Sequence, residues 1–172
     1  VPVFYFPKFF HPDPSVKRQS GLLFPSYTNT SLLGSGIATP YYWAMNRDKD
    51  MTFTPKFLRG ENILYLNEYR QSLENGFLTL DTSYTEGFKD TTTIKTKGSR
   101  SHIFADLNIN LNDDETYEES LEFHIQQTSK NTYFRQYSID TALVSSENTN
   151  LENKFKYSLN KENSFIDIEA SL

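Results

Sequence analysis

Ile103-Phe104-Ala105-Asp106-Leu107-Asn108-Ile109-Asn110-Leu111-Asn112 is the stretch on which the fold turns. Ile103, Ala105, Leu107, Ile109 and Leu111 fall on one side of an extended chain, and Asp106, Asn108, Asn110 and Asn112 fall on the other. That is the two-residue period of a strand with one oily face and one wet face. Wound at 3.6 residues per turn, the same Asn and Asp residues scatter around the whole circumference, so a helix is rejected. An acidic turn, Asn112-Asp113-Asp114-Glu115, follows. The alternation then restarts, with Tyr117, Leu121, Phe123 and Ile125 against Glu118, Ser120, Glu122, His124 and Gln126. Two such runs make a hairpin.

The pattern extends outward on both sides. Leu78, Leu80 and Tyr84 alternate with Thr79, Asp81 and Ser83, and Tyr133, Tyr137, Ile139 and Leu143 with Gln136, Ser138 and Asp140. Phe155, Tyr157 and Leu159, then Ile166, Ile168 and Ala170, repeat it near the end. Turn-formers separate the runs: Glu74-Asn75-Gly76, Glu86-Gly87, Lys97-Gly98-Ser99, Glu147-Asn148 and Asn160-Lys161-Glu162-Asn163. The expected fold is therefore an all-β antiparallel meander.

Composition narrows the class. Hydrophobic residues make up only 37%, while 14 Phe and 11 Tyr bring aromatics to 15%, a balance suited to surfaces that are half apolar and half wet. No window approaches the roughly 20 apolar residues of a membrane-spanning helix, whereas transmembrane strands need only about 9 to 11 residues with every second one apolar. Seventeen basic against 22 acidic residues, net −5 and scattered, argue against a nucleic-acid partner. There is no Cys, and with His11 in a linker and His102 beside a turn the three histidines suggest no metal site; no cofactor is expected. The start at Val1 and the end at Ser171-Leu172 in mid-pattern suggest a segment of a longer protein. Alternation by itself fits a membrane barrel and a soluble β-sandwich equally.

The first 43 residues differ from the rest. Val1-Pro2-Val3-Phe4-Tyr5-Phe6-Pro7-Lys8-Phe9-Phe10 is aromatic and extended, and its prolines suit an edge or terminal strand. His11-Pro12-Asp13-Pro14-Ser15-Val16-Lys17-Arg18-Gln19-Ser20-Gly21 is a stiffened linker with a basic pair. Pro25 and Pro40 interrupt two otherwise strand-like stretches, Gly21 to Tyr27 and Gly34 to Tyr42, where each removes a ladder N–H; as structural features they mark bulges or strand ends. Tyr41, Tyr42 and Trp43 suit an interfacial aromatic belt. Ser120, Glu122 and His124 share a strand face and prompt a test as an esterase relay, but residues two apart sit roughly 6.5 to 7 Å from one another, too far for a hydrogen-bonded relay.

In order and spacing, VPVFYFPKF, HPDPSVKRQSGLLFPSY, PYYWAMNRDKDMTFTPKF and NEYRQSLENG, across roughly the first 75 residues, resemble the LptD family of lipopolysaccharide-assembly proteins at the join of periplasmic jelly-roll and barrel. The resemblance implies that residues 1–14 end a periplasmic β-jelly-roll and its linker, and that 15–172 form the N-terminal strands of a transmembrane outer-membrane β-barrel. It implies transport rather than catalysis, with no catalytic residue: lipopolysaccharide passes into the outer leaflet through a lateral gate loosened by prolines at the positions of Pro25 and Pro40. Lys17 and Arg18 would lie on the path of the substrate phosphates, or else serve as interfacial anchors. The implied partners are lipopolysaccharide, an LptE-like lipoprotein plug, an LptA-like periplasmic bridge and outer-membrane lipid. The family often ties its periplasmic domain to its barrel with disulfides, for which this stretch holds no Cys. The alternatives are a soluble β-sandwich carbohydrate-binding module and an outer-membrane barrel esterase.

Overall fold

A computed structural model describes residues 18–30, 33–59, 61–89, 95–114, 117–130, 132–146 and 150–171, with the backbone alone at 30, 87–89, 95–97, 113 and 114. Residues 1–17, on which the jelly-roll strand, most of the linker and Lys17 fall, lie outside the described residues. The strands are β1 (Gly21–Leu22), β2 (Ser26–Thr30), β3 (Gly34–Ala38), β4 (Tyr41–Ala44), β5 (Lys49–Leu58), β6 (Leu64–Leu73), β7 (Gly76–Lys89), β8 (Lys95–Asp114), β9 (Tyr117–Thr128), β10 (Lys154–Lys161) and β11 (Ser164–Ser171). All join one antiparallel sheet in which neighbours in sequence are mostly neighbours in space, so the meander expectation holds. β1 and β2 are one strand interrupted at Leu23–Pro25, and β3 and β4 are a second interrupted at Thr39–Pro40. Both halves of the second pair with β5 in unbroken register, from Gly36↔Leu58 to Ala44↔Asp50.

The two faces invert the usual soluble arrangement. One cross-strand row runs Tyr41, Phe53, Asn67, Thr82, Ile103 and Gln127; another runs Leu78, Leu107, Phe123, Phe155 and Ala170. This face stays open, leaving Tyr27, Trp43, Phe57, Tyr65, Tyr84, Ile103 and Phe123 exposed. So large an exposed apolar surface signals a lipid or protein partner. The opposite face carries Asp50, Lys56, Asp81, Ser83, Arg100 and His102, all buried.

What buries all of them but Asp50 is the connection between β9 and β10, which reaches Lys56, Ser83 and His102. Its one helix, α1 (Tyr133–Tyr137), lies against the polar face, and Tyr133, Phe134, Tyr137, Ile139 and Val144 pack with Leu33, Leu58, Leu64 and Phe104 into the core. Each such side chain contributes on the order of 1.5 to 3 kcal/mol when removed from water. The expected strand through Tyr133–Leu143 is thus corrected. Tyr133, Phe134 and Tyr137 stand at i, i+1 and i+4, a helical side, and a short window satisfies both periods. Ser138, at φ 47°, ends the helix in the left-handed region.

Two expected turns are also corrected. Glu86-Gly87 and Lys97-Gly98-Ser99 lie within β7 and β8, where Glu86 pairs with Ser99 and the register shifts between Glu86 and Phe88. Glycine there marks a bulge rather than a reversal. His102, expected beside a turn, is mid-strand in β8. The turn before Gly76 is placed as expected: a Cβ there would meet the Asn108 carbonyl oxygen at 2.1 Å, so only glycine lets β7 approach β8.

Candidate functional site: a proline-broken seam and the chamber behind it

Pro25 and Pro40 both fall in strand breaks. Leu22 pairs with Tyr41 and Ser26 with Ala38, so three residues, Leu23–Pro25, lie opposite two, Thr39 and Pro40. This is a bulge at the free edge of the sheet. The ladder across it is reduced to Leu23 N–H donating to the Pro40 carbonyl at 2.8 Å. Leu22, beside the bulge, and Phe24, within it, are 79% and 83% exposed. A third proline, Pro55, continues the line into β5, where its carbonyl accepts from Thr39 N–H at 3.1 Å. Sequence reasoning singled out the first two; the third becomes visible only through the register that sets Pro55 opposite Thr39.

Below the proline row the strands are tied. Asp50, its side chain 4% exposed, accepts from Arg70 Nε at 2.9 Å and from the Tyr42 hydroxyl at 3.2 Å, and pairs with Arg18 Nη1 at 3.2 Å. Arg70 also reaches Glu68 at 3.4 Å. The linker residue Arg18 is thereby held to β5, and Ser20 Oγ accepts from Ala44 N–H. Arg18, Arg47, Asp48, Asp50 and Arg70 line an open cavity of about 500 Å³ at this foot. Of the three expected belt aromatics, Tyr41 and Trp43 are on the exposed face, whereas Tyr42, by strand alternation, turns to the polar face and joins the Asp50 network.

Behind the seam, the β9–β10 connection is fastened to the wall by buried polar bonds. Lys56 Nζ donates to the Tyr137 carbonyl at 3.0 Å. Ser83 Oγ meets both the Tyr133 hydroxyl, at 2.7 Å, and His102 Nδ1. Burial pushes the Tyr133 phenol up to about 12, keeping it a neutral hydrogen-bonding group. Asp140 accepts from Ser146 N–H at 2.8 Å, and the Ser146 hydrogen bonds, with Lys56 nearby, hold its carboxyl below the usual range. Gln126 and Asn153 exchange bonds with the backbone at Glu152 and Gln126. The Ser83–His102 contact has the residue types of a nucleophile and base, but His102 Nε2 has no partner among the described residues to orient it, and α1 covers the pair. His124 pairs with Asp106 at 3.3 Å across the β8–β9 ladder, not with Ser120.

Between this loop and the seam lies a second cavity, of about 310 Å³, lined by Ser26, Ala38, Thr52, Thr54, Lys56, Leu66, Glu68, Asp81 and the 138–141 turn. Phe104, His102, Asp81 and Lys56 were all missed as site residues. Phe104, an aromatic out of phase on a wet face, was the available signal.

No family model matches the chain. Several curated relatives do. It is 34% identical over 84 residues to the LPS-assembly protein LptD of Shewanella oneidensis, covering 47% of this chain and 11% of that one. It is 39% identical over 70 residues to LptD of Shewanella frigidimarina, 41% of this chain and 9% of that protein. With LptD of Nitrosococcus oceani it shares 33% identity over 122 residues, 67% of this chain and 16% of the relative. The chain therefore spans between about a tenth and a sixth of the length of these relatives, and over that span it is LptD-like, an all-β segment similar to part of the LPS-assembly proteins.

Proposed function

We propose that this chain is wall from a transport barrel that assembles lipopolysaccharide at the cell outer membrane, releasing it into the outer leaflet through a lateral gate at the Pro25–Pro40 seam. The observation that carries the reading is the bulged, proline-broken edge, found in a chain similar to the LPS-assembly proteins. The exposed apolar face supports a lipid-facing wall over a sandwich, in which a second sheet covers that face. The connections support an orientation. Strands are separated by 45–48, 74–75, 115–116 and 162–163 at one end and by 31–33, 59–63, 90–94 and 129–153 at the other. Three of the four connections at the first end are two residues long and three of the four at the other are five or more; short turns mark the periplasmic end of such barrels and longer loops the outside. The chain enters the sheet at the short-turn end, where Arg18 docks, as expected if residues 1–14 close a periplasmic jelly-roll and 15–172 begin the barrel.

On this reading the parent protein is not an enzyme. Lipopolysaccharide is its cargo, an LptA-like bridge delivers it, and an LptE-like lipoprotein occupies the barrel. Arg18 sits at the entrance, and Lys17, its neighbour in sequence, is proposed for the same role, with Tyr41 and Trp43 anchoring the outer face in the interface. Hydrogen-bond counting supports the gate: each proline removes one ladder donor, worth about 0.5 to 1.5 kcal/mol net. Depleting the parent protein in its host should strand newly made lipopolysaccharide behind the outer leaflet. Normal surface display under depletion contradicts the proposal.

A further inference from the structure

The chamber behind the seam has a composition that folding alone does not explain. Glu68 and Asp81 stand directly opposite each other across β6 and β7, and like charges in that position oppose pairing. Arg70 compensates Glu68. Asp81 has no such cation: it is 5% exposed, and its Oδ2 has no hydrogen-bond partner among the described residues. The one ammonium lining the cavity, that of Lys56, is committed to the Tyr137 carbonyl beside Asp140. Threonine hydroxyls at 52 and 54 complete the β5 wall.

Three carboxyl groups against one engaged ammonium disfavour phosphate and suit the hydroxyls of an uncharged ligand. Among the described residues no group of three His, Cys, Asp or Glu is arranged to hold a metal ion. The 310 Å³ volume is at the small end of ligand sites and accommodates one or two sugar rings.

We infer that this cavity is a saccharide subsite, in which Asp81 Oδ2 accepts a hydroxyl of an uncharged sugar of the cargo while Thr52 and Thr54 contact its neighbours. It rests on the transport reading for the source of the sugar and adds a division of labour: sugars are held in the chamber behind the seam and phosphates are kept out of it. A filling of water alone is the competing occupant.

The test uses the full-length, detergent-solubilised protein with its co-purifying partners. The probes are core oligosaccharide released from the host's lipopolysaccharide by mild acid and dephosphorylated, and inorganic phosphate. Saturation-transfer NMR should detect the oligosaccharide. Asp81→Asn, which replaces one of the two carboxyl oxygens by an amide donor, should weaken binding several-fold, and Ser158→Ala, on the same face outside the cavity, should leave it unchanged. Thr54→Val should weaken binding about three-fold with the charges intact, which keeps the test valid if Asp81→Asn fails to fold. Absence of oligosaccharide binding, equal binding by wild type, Asp81→Asn and Thr54→Val, or competition by phosphate overturns the subsite. If the oligosaccharide fails to bind while depletion still strands lipopolysaccharide, the subsite falls and the transport reading stands; if it binds while depletion leaves surface display normal, the transport reading falls.

Discussion

The first two strands and the central hairpins share one antiparallel sheet, yet they are held together very differently. β7 and β8 stay paired from Gly76↔Ile109 to Lys89↔Lys95. β1 meets β4 through Gly21↔Tyr42 and Leu22↔Tyr41 alone before the bulge, and pairing resumes only at Ser26↔Ala38. The central strands are also backed by the core on the polar face, where Phe104 and Leu64 are fully buried. Apolar periodicity therefore chooses which face stays open and oily, and donor supply along the ladder decides where the sheet is most weakly paired. The two are independent, so a strand can keep its face and lose its grip. The Asp50 network adds a hinge-like fixed point at the foot of the weak region.

The largest expected effect is on the backed side. Phe104→Ala should cost about 3 to 5 kcal/mol and free α1 from the wall, read as accelerated protease cleavage within 129–153 while the β1–β4 edge is unchanged. Equal loosening of both regions would erase the distinction drawn between them. Next, Asp50→Asn removes the carboxylate from Arg70, Tyr42 and Arg18 at a cost of about 1 to 3 kcal/mol, at the lower end because Arg18 is largely exposed. Hydrogen exchange should quicken at 41–44 and 50–53 and stay slow in β7–β9.

The smallest effect is a pH dependence. Asp140 titrates below its ordinary range in the folded loop, so its contribution is fully present above the ordinary carboxylate pKa and is lost as pH falls through the depressed value. Protease nicking of the loop should rise on acidification through that window. Asp140→Asn should flatten the response, and an unchanged profile would remove Asp140 from the fastening of the loop.

Much of this was legible in the sequence, and the limits have physical causes. Period-two runs gave the strands and their faces, because a half-buried sheet constrains every second residue. Pro25 and Pro40 were legible because a missing N–H is a property of the residue itself. Tyr133–Leu143 was not, since one helical turn and a short strand place overlapping residues on the same side. Pro55, the Asp50 network and the chamber depend on register, which alternation leaves free by multiples of two. Gly87 and Gly98 read as turns because a glycine signals a reversal and a bulge alike.

The claim that matters most is that the barrel opens at this proline-broken edge, the edge strand parting from the strand that closes against it to pass cargo. In the full-length barrel, a cysteine at position 23 paired with one in the strand that closes against β1 would lock that edge. Lipopolysaccharide delivery into vesicles carrying the oxidised protein should stop, and reduction should restore it; Pro25→Ala with Pro40→Ala, which returns two ladder donors, should slow delivery without stopping it. Delivery at the normal rate through the oxidised, crosslinked barrel would contradict the account and leave Pro25 and Pro40 as formers of a bulge and nothing more.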